Sequence, residues 1–245
     1  MVLRKRKIAK ICIDGECCYR TVKYSKRKYL GDPLNIARLL SRLQADELHV
    51  ISLSPPWNKH EGIIKLLSKY TTCPLAYGGY IFGADQIDLL MSFGIEKVIL
   101  GKSAFTNYDL LCYGSDKYGR QSIVASVDVR FDPYNQVFSV WSNHGNTLMA
   151  DSLSDVLSNF PFSQIGELSI NFIDYDGLTL PHSLLDLLDS EKLPQNIPLT
   201  LSCGFYYDAT INYALGKDWV SGIISSRRYA SAPYSPSSCL TCFYR

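Results

Sequence analysis

Two short apolar runs that end in a carboxylate constrain this chain most: Lys10-Ile-Cys-Ile-Asp14 and Ile123-Val-Ala-Ser-Val-Asp128. Runs with so few polar interruptions suit strands buried on both faces of a parallel sheet. An aspartate at the carboxyl end of such a strand stands where α/β proteins gather their chemistry. The two aspartates lie nearly half the chain apart, and other segments echo each other in the same order. Asp46-Glu-Leu-His-Val-Ile-Ser52 is answered by Gly166-Glu-Leu-Ser-Ile-Asn-Phe172. Cys73-Pro-Leu-Ala-Tyr-Gly78 is answered by Ile197-Pro-Leu-Thr-Leu-Ser202, and Glu96-Lys-Val-Ile-Leu-Gly101 by Trp219-Val-Ser-Gly-Ile-Ile-Ser225. An offset that stays at about 120 positions, in matching order, signals an internal duplication.

Between the apolar runs the chain carries helical segments. Asp32-Pro33 supplies an N-cap and a proline for the first turn of a helix with the stripe Ile36, Leu39, Leu40 and Leu43. Residues 15–30 read as a loop rich in lysine, arginine and tyrosine, able to cover an anionic ligand or simply to be solvated. After Asp128 a hairpin is expected, with Asp132-Pro-Tyr-Asn135 as its turn and Val137-Phe-Ser-Val-Trp141 as a strand. Thr106 is expected to cap the helix that follows the fourth strand. Eight strands alternating with mostly helical segments predict a (β/α)8 barrel built from two duplicated half-barrels. Residues 1–226 form its single domain, the last helix is short or missing, and residues 227–245 are an irregular tail.

Bulk properties narrow the function. A chain of 245 residues, 47% hydrophobic and 20% charged, is ample for one large core. A net charge of only +2 implies no surface for nucleic acid, and no apolar stretch is long enough to span a bilayer. A cytoplasmic, soluble protein with no membrane partner is therefore expected. The eight cysteines are not a disulfide framework: Cys12, Cys73 and Cys203 read as small core residues, and Cys239-Leu-Thr-Cys242 lacks a second metal-ligating pair. No metal and no cofactor are expected.

In such a barrel all strand carboxyl ends share one face, so Asp14 and Asp128 should meet across its mouth. A lone aspartate there would most simply cap a turn. Two at equivalent places can divide general acid and general base roles if their pKa values are pushed apart. Loops after strands seven and eight bind phosphate in many barrels, and here they hold Gly204, Ser225 and Ser226. Duplication predicts a twin site at Gly79, Gly101, Lys102 and Ser103. Glu47, Lys97 and Glu167 begin strands two, four and six; by pattern alone they read as solvent-exposed strand starts.

Together Cys12-Ile-Asp14, Gly31-Asp-Pro33, Ala45-Asp-Glu-Leu48, Tyr77-Gly-Gly79, Ser126-Val-Asp128, Ile173-Asp-Tyr-Asp-Gly177 and Ser202-Cys-Gly204 resemble the cyclase subunit of imidazole glycerol phosphate synthase. The resemblance implies a half-barrel duplication and a glutaminase partner docked on the amino-terminal face. It implies ammonia passing a charged gate to a substrate phosphorylated at both ends, with Asp14 and Asp128 as the acid–base pair of a lyase step in histidine biosynthesis. Glu47, Lys97 and Glu167 match three gate positions; the fourth, an arginine in the family, aligns with Ile8. Arg20 matches the lysine of the first loop, and Asp176 and Gly177 fall in the substrate-binding turn. Ser52, Gly101 and Cys203 depart from the family where substrate binds. The Lys26 to Pro33 stretch and the shortened end resemble a divergent branch associated with surface-polysaccharide (LPS) synthesis, in which ammonia would serve to make an amidino sugar. Retention of both aspartates speaks against a third reading, a barrel serving only as scaffold for its glutaminase.

Overall fold

The computed structural model describes residues 4–226. Eight parallel strands close into a barrel: β1 (Arg6–Asp14), β4 (Glu47–Ser52), β5 (Leu75–Gly78), β6 (Lys97–Leu100), β7 (Ile123–Asp132), β10 (Glu167–Phe172), β11 (Leu199–Ser202) and β12 (Gly222–Ser225). Each pairs in parallel with the next, and β1 closes on β12. Helices α1 (Pro33–Arg42), α2 (Glu61–Tyr70), α3 (Ala84–Ser92), α4 (Lys102–Thr106), α5 (Tyr108–Tyr118), α6 (Leu153–Ser158), α7 (His182–Leu188) and α8 (Asp208–Leu215) connect them. The expected barrel is thus present. The segment after β12 and the Cys239–Cys242 pair lie outside the described residues. Among the described residues no helix is long and apolar enough to cross a membrane.

The strand pattern explains the layering. Odd residues of β1, namely Ala9, Ile11 and Ile13, join the main core between barrel and helices. Even residues face the interior, where Lys10 lines a cavity. Inside the barrel a small apolar cluster of Ala76, Ile99 and Val124, with Ile51 against it, fills the side made by β4 to β7. The opposite side is polar, with Lys10, Ser169, Thr200 and Ser202.

Asp32 caps α1 by accepting from the Asn35 amide at 2.8 Å, with Pro33 in the first turn. The buried stripe of that helix is Pro33, Ala37 and Leu40, whereas Leu39 is exposed, so the predicted stripe is rotated. Thr106 does not cap the next helix. Its hydroxyl returns to the Lys102 carbonyl, and Asn107 caps α5 through the Leu110 amide.

Residues 15–30 are not a loop. They form an antiparallel hairpin, β2 (Cys17–Val22) and β3 (Lys26–Gly31), that continues β1. The Lys26-Arg-Lys run is exposed, and charge suits a strand whose other edge is unpaired among the described residues. The second half mirrors it: β8 (Val137–Ser142) and β9 (Thr147–Ala150) continue β7. The duplication therefore extends to both insertions.

Candidate active site at the carboxyl ends of the barrel strands

The amino-terminal end of the barrel is closed by a ring of four charges. Arg6 donates to Glu47 Oε2 and Glu167 Oε2, both at 2.9 Å. Lys97 Nζ reaches the same two oxygens at 2.7 and 3.2 Å. The remaining oxygens are also held: His49 Nε2 lies 3.0 Å from Glu47 Oε1, and Thr200 donates to Glu167 Oε1 at 2.9 Å. Glu47 and Glu167 are only 3% exposed, so they are not solvent-facing strand starts. Burial works against ionisation of Glu47, but the contacts with His49 and Lys97 outweigh it and hold its pKa down at about 2. Buried charges of both signs, each fully paired, satisfy one another. The fourth member is Arg6, not Ile8. A shift of two residues along a strand keeps the same face, so Arg6 fills the place that alignment gave to Ile8.

The opposite end opens into several cavities; two hold the predicted anion-binding residues, and a further one of about 70 Å³ shares Asp128, Gly101 and Lys102 with the larger of those two. The larger, of about 500 Å³, is lined by Asp128 and Asn171, by the predicted anion-binding residues Gly79, Gly101, Lys102 and Ser103, and by His49 on its floor. The smaller, of about 30 Å³, is lined by Arg20, Asp176, Gly177, Gly204, Ser225 and Ser226. The two predicted anion sites therefore fall in separate cavities, one per half-barrel. At about 10–15 Å³ per water, the smaller has room for roughly two water molecules.

Several of these side chains already have partners. Ser103 Oγ donates to the Ile81 carbonyl and Ser225 Oγ to the Phe205 carbonyl, both at 2.8 Å. The halves thus repeat even this tie between successive loops. It occupies the hydroxyl hydrogens that were expected to face an anion. Asp176 Oδ2 accepts from Thr21 Oγ1 at 2.6 Å and from the Tyr24 amide at 3.1 Å, fastening the β2–β3 hairpin over the barrel. At Gly177, with φ +73°, a Cβ would lie 2.7 Å from the Thr21 carbonyl, so the crossing hairpin itself requires glycine. Gly101 has open space at that position, and steric need does not explain it.

The two aspartates have different surroundings. Asp128 stands beside Asn171 in register on β10, and Asn171 Nδ2 donates to its Oδ1 at 2.9 Å. Burial pushes the Asp128 carboxyl up to about 6, against the pull of Asn171 and the charge of Lys10. Asp14 ends β1 and does not line the large cavity. Its Oδ2 pairs with Arg27 at 2.5 Å, and its Oδ1 accepts from Ser54 and Lys59, each at 2.5 Å. Burial opposes ionisation, but Lys59, Ser54 and Arg27 prevail and hold the carboxyl down at about 2. His60 secures the loop that carries Lys59, with Nδ1 3.1 Å from the Gly15 carbonyl.

Sequence reasoning missed Lys10, His49, Asn171 and Lys59 as site residues. His49 and Asn171 had a usable signal: each lies on the inward parity of a strand that begins with a glutamate of the charge ring. Lys59 had none, because its contact spans 45 positions and depends on loop shape.

A family model described as histidine biosynthesis protein matches residues 11–228. A Vibrio vulnificus (strain YJ016) protein with the provisional name imidazole glycerol phosphate synthase subunit hisF3 is 29% identical over 206 residues, 83% of this chain and 79% of its own. A Prochlorococcus marinus (strain MIT 9313) protein provisionally named as subunit hisF2 is 27% identical, covering 97% of this chain and 94% of its own. The imidazole glycerol phosphate synthase subunit HisF of Staphylococcus aureus (strain MRSA252) is 26% identical over 83% of this chain and 81% of its own. Matched over most of its length, this chain belongs to the histidine biosynthesis protein family, as a divergent relative of the HisF subunits.

Proposed function

We propose that this barrel is the ammonia-using member of a glutamine-dependent pair, an ammonia-dependent cyclase/lyase of the imidazole glycerol phosphate synthase type. Its substrate on this reading is an aminoimidazole carboxamide ribonucleotide phosphorylated at both ends, and its place is histidine biosynthesis. One observation carries the reading: a fully paired charge ring closes one end of the barrel, and its Glu47 contacts His49, which floors the cavity holding Asp128. A glutaminase docked on the ring would release ammonia, a small neutral molecule, into that interior. Asp128, with its carboxyl near 6, is still partly protonated close to neutrality and suits the general acid. Asp14 is ionised and suits the base once Arg27 and Lys59 release it. Phosphate groups of the substrate compete for those two cations.

The smaller cavity favours a second reading. With an interior of about 30 Å³ it holds about two waters, which favours a substrate with a single anionic end. On that reading the ammonia forms an amidino group on a sugar of surface polysaccharide. Expression in a histidine auxotroph lacking the cyclase subunit, with and without a glutaminase, separates the two. Growth supports the first. No growth from well-folded protein that still forms a one-to-one complex with a glutaminase supports the second. A protein that stays monomeric beside that partner at micromolar concentration contradicts both.

A further inference from the structure

Lys10 acts on Asp128 through its charge, and it also stands between the two cavities of the site. It is 7% exposed and lines both cavities, so its side chain stands at their junction. Its ammonium donates to Ser202 Oγ at 3.2 Å and to Cys203 Sγ at 3.4 Å. Both acceptors belong to neutral groups, and a thiol is a weak acceptor. An ammonium has three donors, and among the described residues the third has no acceptor and no carboxylate lies within ion-pair distance of it. The hairpin covers it from above: the Tyr24 ring centroid is 5.8 Å from Nζ, and Tyr24 Oη lies 3.5 Å from Cys203 Sγ.

Burial works against the Lys10 ammonium, but Cys203, Cys12 and Asp176 outweigh it and raise its pKa, so a permanent positive charge stands at this junction. The carboxylates of the ring at the barrel's base are all taken by Arg6 and Lys97. Asp14 is taken by Arg27 and Lys59, while Asp176 and Asp128 act on Lys10 only from beyond ion-pair distance. No carboxylate of the described residues therefore pairs directly with Lys10, and its third donor is left for an incoming anion. We propose that Lys10 is a ligand-binding residue that pairs with an oxyanion of the substrate, a phosphate or a carboxylate, seated between the two cavities. The inference rests on the view that the barrel mouth binds an anionic ligand, but not on ammonia or on turnover.

The experiment is a binding measurement on the full chain and its Lys10→Met variant, which removes the charge and keeps the shape. The probes are ribose 5-phosphate, ribonate and neutral ribose, followed by calorimetry or chemical-shift titration, with melting temperature recorded for both proteins. The expected result is at least a tenfold loss of affinity for one charged sugar in the variant and no change for ribose. Which charged sugar shows the loss identifies phosphate or carboxylate as the group bound. Equal affinity in the two proteins overturns the proposal, as does failure of the wild-type chain to bind either charged sugar at millimolar concentration. A lower melting temperature with uniform weakening for all three sugars also overturns it, because Lys10 would then only maintain the mouth's shape. Histidine complementation is unaffected by these outcomes, so failure here and failure of the proposed function are told apart.

Discussion

The two half-barrels still match at the bottom and have diverged at the top. At the base, Glu47 and Glu167 are near copies: each gives one oxygen to both Arg6 and Lys97 and the other to a single internal group. At the mouth, Asp14 and Asp128 start from equivalent strand ends and meet different surroundings. Asp14 is held near 2 by two cations and a hydroxyl, and Asp128 is driven to about 6 by its enclosure. A duplicated fold supplies two acids of the same kind; what packs around each moves the two pKa values in opposite directions.

The comparison can be broken most directly through activity. Asp128→Asn is expected to lower ammonium-dependent turnover by about 10³-fold, and Asp14→Asn by about 10²-fold or more, in the range of general acid–base contributions. Near-normal rates in either variant remove that residue from the chemistry. The base of the barrel should behave alike in both halves. Glu47→Gln and Glu167→Gln are each expected to cost about 3 kcal/mol of stability, because each leaves Arg6 and Lys97 with one fewer charge partner in a buried network. Denaturant titration checks this, and costs that differ several-fold would show that the ring is not symmetric.

Stability at the mouth should instead change with opposite sign. The folded pKa of Asp128 is raised, so its contribution is full below the unfolded value near 4 and is lost as pH rises through about 6. Asp128→Asn should therefore stabilise the protein at pH 7.5, by roughly 1–3 kcal/mol, and do so progressively less toward pH 4. The folded pKa of Asp14 is lowered, so its contribution is present above about 4 and is lost as pH falls through about 2. With its side chain 26% exposed, Asp14→Asn should destabilise by less than about 1 kcal/mol at neutral pH and by nothing near pH 2. Melting curves across pH test both signs.

How much of this was legible in the sequence follows from the range of each interaction. The barrel and its doubling were legible because apolar runs, caps and their order are local properties, as at Asp32-Pro33. The β2–β3 hairpin was not, because an exposed edge strand such as Lys26-Arg-Lys lacks the alternation that marks a half-buried one. The grouping of Gly204, Ser225 and Ser226 around one cavity followed from the barrel pattern, that of Gly79, Gly101, Lys102 and Ser103 around another from the duplication, and Arg20 came from the family resemblance. The partners of these side chains followed from none of these. Ser103 and Ser225 spend their hydrogens on loop carbonyls, Asp176 fastens the hairpin, and Asp14 is met by Arg27 and Lys59. Each of those contacts depends on loop paths that no local pattern encodes. The replacement of Ile8 by Arg6 in the ring shows the same limit: strand parity was readable, but the exact register was not.

The central claim is that two acids of common origin have had their pKa values driven in opposite directions. Titration of the carboxyl carbons of Asp14 and Asp128 by NMR in the intact chain tests it directly. The account predicts that Asp128 titrates at about 6 and Asp14 at about 2, and that Arg27→Met raises the Asp14 value while leaving Asp128 unchanged. Two carboxyls that titrate together near the ordinary value of about 4 would contradict it.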